Sequence, residues 1–317
     1  MGARRASARR PDLFLVGAPK CGTTAMYEYL NWHPEIFMCP VKEPEYFSRD
    51  PGSAAARSLE EYLALFDGAR GETRIGEASV GYLASPVAAG RIRAFSPSAR
   101  ILIMLRNPVD MMYSLHGQLV YNGDEDVPDF EAALALEERR ARGLSLPAGG
   151  HMPAWVQYRS MASYADQVRR YLDAFGRNAV RVVIFDDFVR DTGAVYADVL
   201  GFLGVEAGVA RPAFVVVNPN KEARSRLVRG LLRHPPPLVR RLARAVLPRP
   251  SRRRLARGVK RLNQRHAPRV PMRPGLRRRL QEELAPEVER LAALLGRDLS
   301  AWTRGGDTGP TTMHRTS

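Results

Sequence analysis

Two stretches of this sequence carry residue types and spacings suited to holding phosphate. The first is FLVGAPKCGTTAMYEYL, residues 14–30, in which an apolar run ends in Gly17, Gly22 follows, and Thr23 and Thr24 open a helical pattern. Backbone N–H groups at a helix start, helped by the helix dipole, favour an anion. Lys20 brings a cation to the same turn, and Cys21 contributes its N–H. A triphosphate-binding loop of the form G-x-x-x-x-G-K-[ST] has its lysine directly after the second glycine. Thr23 stands there instead, and Lys20 lies inside the loop.

The second stretch is RILIMLR, residues 100–106, followed by NPVDMMYSLH. A magnesium-dependent nucleotidase commonly has an aspartate at the end of such a strand to help hold the metal. Here the strand ends in Arg106. Ser114 lies two helical turns further on and can share a face with the helix start. Arginine and hydroxyl together make a second anion site, without a metal-holding carboxylate. A nucleotide with phosphates at both ends of its ribose fits this pair better than a triphosphate, and no metal is expected.

The surrounding pattern supplies the scaffold. Apolar runs at 12–17, 74–79, 100–106 and 179–188 read as strands, and helical patterns fill 23–32, 85–95, 129–141, 157–175, 191–203 and 274–296. Ser85 and Pro86 read as cap and first residue of one helix, Asn107 and Pro108 as those of another. Strand and helix alternate with short connections. This predicts an α/β, P-loop-like, three-layer α/β/α fold around a central parallel sheet of about four to five strands. Residues 12–302 are expected to form a single domain between a disordered basic arm, 1–11, and a disordered tail, 303–317. The Gly- and Pro-rich 141–153 reads as a loop.

Net charge is +16, unevenly spread. Residues 221–280 hold 21 Lys or Arg against the single acid Glu222, a net +20, so the rest of the chain carries −4. Within this Arg-rich helical segment, 227–262 alternates arginines with leucines. That pattern suits solvated helix faces, a basic helix on an anionic membrane, or a platform for an acidic acceptor. Nucleic-acid binding is not expected, because no recognition motif accompanies the charge. Cys21 and Cys39 form neither a disulfide framework nor a metal-ligand spacing. With no apolar segment long enough for a signal peptide or a membrane span, the expected location is cytoplasmic, with membrane association through 227–262 as the variant.

The motifs resemble those of sulfotransferases that use 3′-phosphoadenosine-5′-phosphosulfate (PAPS). PKCGTT is similar to their 5′-phosphosulfate loop, and RILIMLRNPVDMMYSLH to their 3′-phosphate segment. With VKEPEYFS, IGEASVGYLASP and LLGRDLSAW, the chain is most similar to the heparan-sulfate-type branch and its bacterial relatives, from about Leu13 to Trp302. The resemblance implies sulfuryl transfer to a hydroxyl or amine of a glycan, lipid or secondary-metabolite acceptor, leaving adenosine 3′,5′-bisphosphate.

It further implies that the amides of Cys21, Gly22, Thr23 and Thr24 cradle the 5′-phosphate, that Lys20 stabilises the leaving oxygen, and that Arg106 and Ser114 bind the 3′-phosphate. Glu43 matches the branch's general base, with His116 as a rival, and Tyr164 is a further candidate cofactor contact. The sequence departs from the pattern at Glu45, where the branch often has His, and at Met111, where arginine is common. The family's Lys-Gly-Arg loop is missing, and Lys221 or Arg224 is expected to take over its role. The competing readings are an ATP-dependent small-molecule kinase and a basic membrane- or nucleic-acid-binding module.

Overall fold

A computed structural model of the chain describes residues 10–49, 57–149, 153–208, 214, 221–223, 264–266 and 270–304. Five short, largely buried strands form one parallel sheet: β1 (Leu13–Gly17), β2 (Ile36–Met38), β3 (Arg74–Ala78), β4 (Arg100–Leu105) and β5 (Val180–Ile184). Their order is β2-β3-β1-β4-β5. The apolar residues of β1 and β4 are completely buried, which is why these segments read as continuous hydrophobic runs without alternation. From β1 the chain first builds toward β3 and then crosses to β4 on the other side. The order therefore reverses around β1, and in open parallel sheets ligands bind beyond the strand ends at such a reversal.

The helices of the sheet-bearing part are α1 (Thr23–Trp32), α2 (Leu59–Leu63), α3 (Ala88–Phe95) and the first half of α4 (Pro108–Asn122), then α7 (Tyr158–Met161), α8 (Tyr164–Phe175), α9 (Phe185–Arg190), α10 (Thr192–Leu203) and α11 (Pro274–Leu295). Between α4 and α7 come α5 (Phe130–Ala135) and α6 (Glu137–Ala141). The chain divides into two compact units. One comprises Met1–Leu115, Gln157–Val217 and Met272–Ser317 and contains the sheet; the other comprises His116–Val156 and Asn218–Pro271. In the second, β6 (Lys221–Ala223) pairs antiparallel with β7 (Gln264–His266), and Arg140 and Glu125 form a fully buried bidentate ion pair. The basic stretch 227–262, Arg224, the arm 1–9 and the tail 305–317 lie outside the described residues. No described helix is long and apolar enough to cross a membrane.

Three local expectations need correction, and one strand gave no signal. β5 stops at Ile184, and residues 185–190 are helical rather than extended. The physical reason lies in Asp186 and Asp187, which occupy the first turn of α9 and are held from the far end of the chain. Trp302 Nε1 donates to Asp186 at 2.8 Å, and Arg297 pairs with Asp187 at 2.5 Å. The pattern across 157–175 breaks into α7 and α8 at Ala162 and Ser163. Ser85 does not cap α3, which starts at Ala88 without a side-chain cap. β2, three residues long, gave no periodic signal.

Other readings hold. Asn107 Oδ1 accepts from Val109 N at 3.0 Å and caps α4. α11 runs unbroken through Pro286. It lays Leu280, Leu284, Val288 and Leu291 on one buried face against α8.

Gly17, at the carboxyl end of β1, has no room for a side chain. Its φ is +148°, and a Cβ there would come 2.7 Å from Leu83 Cβ and 2.9 Å from the Val80 carbonyl. Both obstacles are close to or part of the backbone, so neither can swing away. Gly17→Ala is expected to destabilise the fold by at least ~2 kcal/mol, read as a lower midpoint in chemical denaturation.

Candidate active site at the carboxyl edge of the sheet

The turn after β1 is fastened on both sides. Ala18 N donates to Met104 O at 2.7 Å, and Leu83 N donates to Val16 O at 2.8 Å. Lys20 and Gly22 both take positive φ, 64° and 87°. Gly22 ends the turn as the N-cap of α1 and has no side-chain cap. The first N–H groups of α1 are thus left without an intrahelical partner, as at any helix start. Behind the turn lies Phe185, whose ring would be 3.1 Å from a Cβ on Gly22. The same ring carries the Arg106 guanidinium 4.8 Å from its centroid, a cation–π contact.

Cys21, Arg106 and Tyr164 meet here although far apart in sequence. Burial pushes the Cys21 thiol up to about 12, while Arg106, Tyr164 and Lys20 act in the opposite sense. This thiol is therefore neutral, and its sulfur donates to Pro19 O at 3.3 Å. The Tyr164 phenol is raised well above its usual range, by burial first and then by Cys21, with Arg106 opposing and Asp110 adding to the rise. Tyr164 is 1% exposed, and apart from the Cys21 thiol, a weak acceptor, its Oη meets no hydrogen-bond partner among the described residues. An orphaned buried hydroxyl beside a helix start and an arginine fits a ligand rich in acceptor oxygens. Arg106 pairs with no carboxylate among the described residues. Ser114 is buried on α4, one turn beyond Asp110.

On the other flank, Glu43 belongs to a segment pinned along the end of β3. Glu43 N donates to Ala78 O at 2.8 Å, Glu45 N to Ser79 Oγ at 3.2 Å, and Phe47 N to Tyr82 Oη at 3.2 Å. Glu43 and Glu45 both have positive φ, 60° and 55°, a conformation costing about 1–3 kcal/mol at a non-glycine residue unless its surroundings enforce it. The Glu43 side chain is 40% exposed and pairs with Lys42 at 2.7 Å. An exposed pair of this kind contributes roughly 0–1 kcal/mol, so it does not lock the carboxylate away from an incoming group. Glu45, in contrast, is buried. It accepts from Ser48 Oγ at 2.6 Å and Gly81 N at 3.2 Å, and burial raises its carboxyl. Where the branch often has histidine, this chain has an internal anchor.

Sequence reasoning missed Glu77, the hub beneath that segment. Completely buried, it accepts from Tyr62 Oη at 2.6 Å, Ser79 Oγ at 2.8 Å and Tyr82 Oη at 3.0 Å. A hydroxyl has one proton. Because Ser79 and Tyr82 give theirs to Glu77, their lone pairs face the N–H groups of Glu45 and Phe47. Its position inside a strand read as core was the only available hint. His116 belongs to the second unit, where it is buried, with Nε2 2.9 Å from Val127 O and its ring against Phe130. Met111 is core. Lys221 opens β6 in the second unit, and Arg224 lies outside the described residues.

The sequence profile of the sulfotransferase domain matches residues 10–218. Human carbohydrate sulfotransferase 15 is 26% identical over 249 residues, with 62% of this chain and 44% of that protein covered. Mouse bifunctional heparan sulfate N-deacetylase/N-sulfotransferase 1 is 27% identical over 232 residues, covering 70% and 25%. The chain thus spans less than half the length of these curated relatives. The crystal structure of a sulfotransferase from Alicyclobacillus acidocaldarius is 36% identical, with a TM-score of 0.69 over 93% of this chain and 100% of that one.

Burial pushes the Glu77 carboxyl up to about 7, against the pull of its three hydroxyl partners. The native state therefore holds this proton more tightly than the unfolded chain, and stability from this group falls as pH rises from about 4.5 toward 7. The fall should amount to at most about 3 kcal/mol. Glu77→Gln is expected to flatten that part of the pH profile in denaturant titrations; an unchanged slope would remove Glu77 as its source.

Proposed function

The chain belongs to the sulfotransferase domain family, and we propose that it transfers a sulfuryl group from PAPS to a hydroxyl or amine of a glycan. The observation that carries this reading is the convergence of the Gly17–Gly22 turn, Arg106 and the orphaned Tyr164 hydroxyl at one edge of the sheet. The names of the curated relatives, carbohydrate and heparan sulfate sulfotransferases, support a glycan as acceptor.

When bound, PAPS supplies an activated sulfuryl group whose leaving group is its 5′-phosphate. The N–H groups of Cys21, Gly22, Thr23 and Thr24, with the two threonine hydroxyls, would hold that phosphate, and Arg106 with Ser114 and Tyr164 the 3′-phosphate. Glu43 takes the proton from the attacking acceptor oxygen or nitrogen as that atom bonds to sulfur. Lys20 and the loop amides stabilise the negative charge that gathers on the phosphate oxygen as its bond to sulfur breaks. Oriented donors in a fixed turn stabilise such charge without reorganising during the reaction. The pinning of Glu43 through its own N–H keeps the base in place while leaving its carboxylate exposed to an acceptor.

Glu43→Gln is expected to lower transfer of labelled sulfate from PAPS to a panel of desulfated glycans by ~10²–10⁴-fold. Its affinity for adenosine 3′,5′-bisphosphate in calorimetry should match that of the unaltered chain. Tight binding of ATP–Mg with none of the bisphosphate would instead assign the site to a kinase.

A further inference from the structure

Taking Arg106 and Ser114 as the holders of the 3′-phosphate, one feature of α4 works against them. Arg106, Asp110 and Ser114 are spaced four residues apart, so Asp110 and Ser114 share one face of α4 and Arg106 immediately precedes it. The middle position is an acid. A carboxylate on that ridge repels the dianion its neighbours would hold, and Asp110 is close enough to Tyr164 to perturb its phenol.

The counter-charge comes from 167 residues further along the chain. Arg277, in α11, pairs through Nη2 with Asp110 Oδ1. The other amino group of the same guanidinium, Nη1, is buried and has no hydrogen-bond partner among the described residues. Three buried side-chain polar atoms of the described residues share that condition, and two of them, Tyr164 Oη and Arg277 Nη1, belong to the groups around Asp110. An unsatisfied buried donor is costly, and two donors beside one ridge call for acceptor oxygens.

We propose that Arg277 is a specificity-determining member of the 3′-phosphate subsite. It cancels the charge of Asp110 on the α4 ridge and offers a guanidinium N–H that no group among the described residues claims. A purely architectural tie between α4 and α11 would account for the ion pair but not for the unclaimed donor. The two roles also predict opposite consequences for Asp110. If the pair only ties two helices together, losing the carboxylate weakens the site. If Asp110 opposes the phosphate and Arg277 corrects it, losing the carboxylate strengthens the site.

The test uses calorimetry on the full chain with two probes, adenosine 3′,5′-bisphosphate and adenosine 5′-monophosphate, which differ only in the 3′-phosphate. The unaltered chain should prefer the bisphosphate; equal binding of the two, seen before any substitution, would overturn the 3′-phosphate reading itself and this inference with it. Arg277→Gln should weaken the bisphosphate about tenfold or more and leave the monophosphate within about twofold, the pattern of one lost charge-assisted contact. Asp110→Asn should tighten the bisphosphate, by about threefold, without moving the monophosphate. The double substitution should regain most of the affinity lost in Arg277→Gln. Should Arg277→Gln fail to fold, Arg277→Lys, which keeps the charge, and Asp110→Asn carry the same comparison. Parallel changes in both nucleotides, or a weaker bisphosphate complex in Asp110→Asn, would reduce the pair to a helix tie and overturn the proposal.

Discussion

The seating of the Gly17–Gly22 turn against the ends of β4 and β5 is the contact on which the rest of the site depends. Ala18 is hydrogen-bonded to Met104, the penultimate residue of β4, and Gly22 rests on Phe185, the first residue beyond β5. Arg106 lies over the same phenylalanine ring. A single aromatic side chain thus sets the depth of the turn and the height of the arginine beside it. Because the strands are parallel, their ends lie together, and the reversal of strand order around β1 leaves the turn between neighbours rather than under a crossover.

The opposite flank solves a different problem. A base that meets varied acceptors has to be exposed, yet its backbone has to stay fixed. Glu43, in the role proposed for it, combines both properties, since its N–H is bonded to Ala78 O while its carboxylate is exposed. Glu77 orients two hydroxyls, those hydroxyls receive the N–H groups of Glu45 and Phe47, and Gly81 admits the Glu45 carboxylate where a Cβ would stand 2.8 Å from it. Two glutamates with left-handed backbones are held in place by this network. Its members are polar residues in a nearly water-free layer, where each hydrogen bond is strong and each missing partner is expensive.

Much of this could be read from the order of residues. Gly17, Lys20, Gly22, Thr23 and Thr24 announce an anion-binding turn, since glycine placement and a helix start are local properties. Arg106 at a strand end argued against a metal-bound triphosphate for the same reason. The apolar runs of β1 and β4 declared themselves by burial on both faces. Harder to see were features whose cause is distant. Residues 185–188 look like a continuing strand until Trp302 and Arg297 are brought against Asp186 and Asp187. Glu77 looks like one polar residue in a strand until Tyr62 and Tyr82 close over it.

The sequence alone determined the strand-and-helix alternation, the glycine-bounded turn ahead of α1 and the spacing of Arg106 and Ser114, because each rests on spacing within a turn or two of backbone. Only the tertiary structure decided which charges face one another. It placed Glu43 outward and Glu45 inward although they are two residues apart, and set Arg277 against Asp110 across 167 positions. Ionic and hydrogen-bonding partners are chosen by packing, and packing joins helices and strands that share no local signal in the chain.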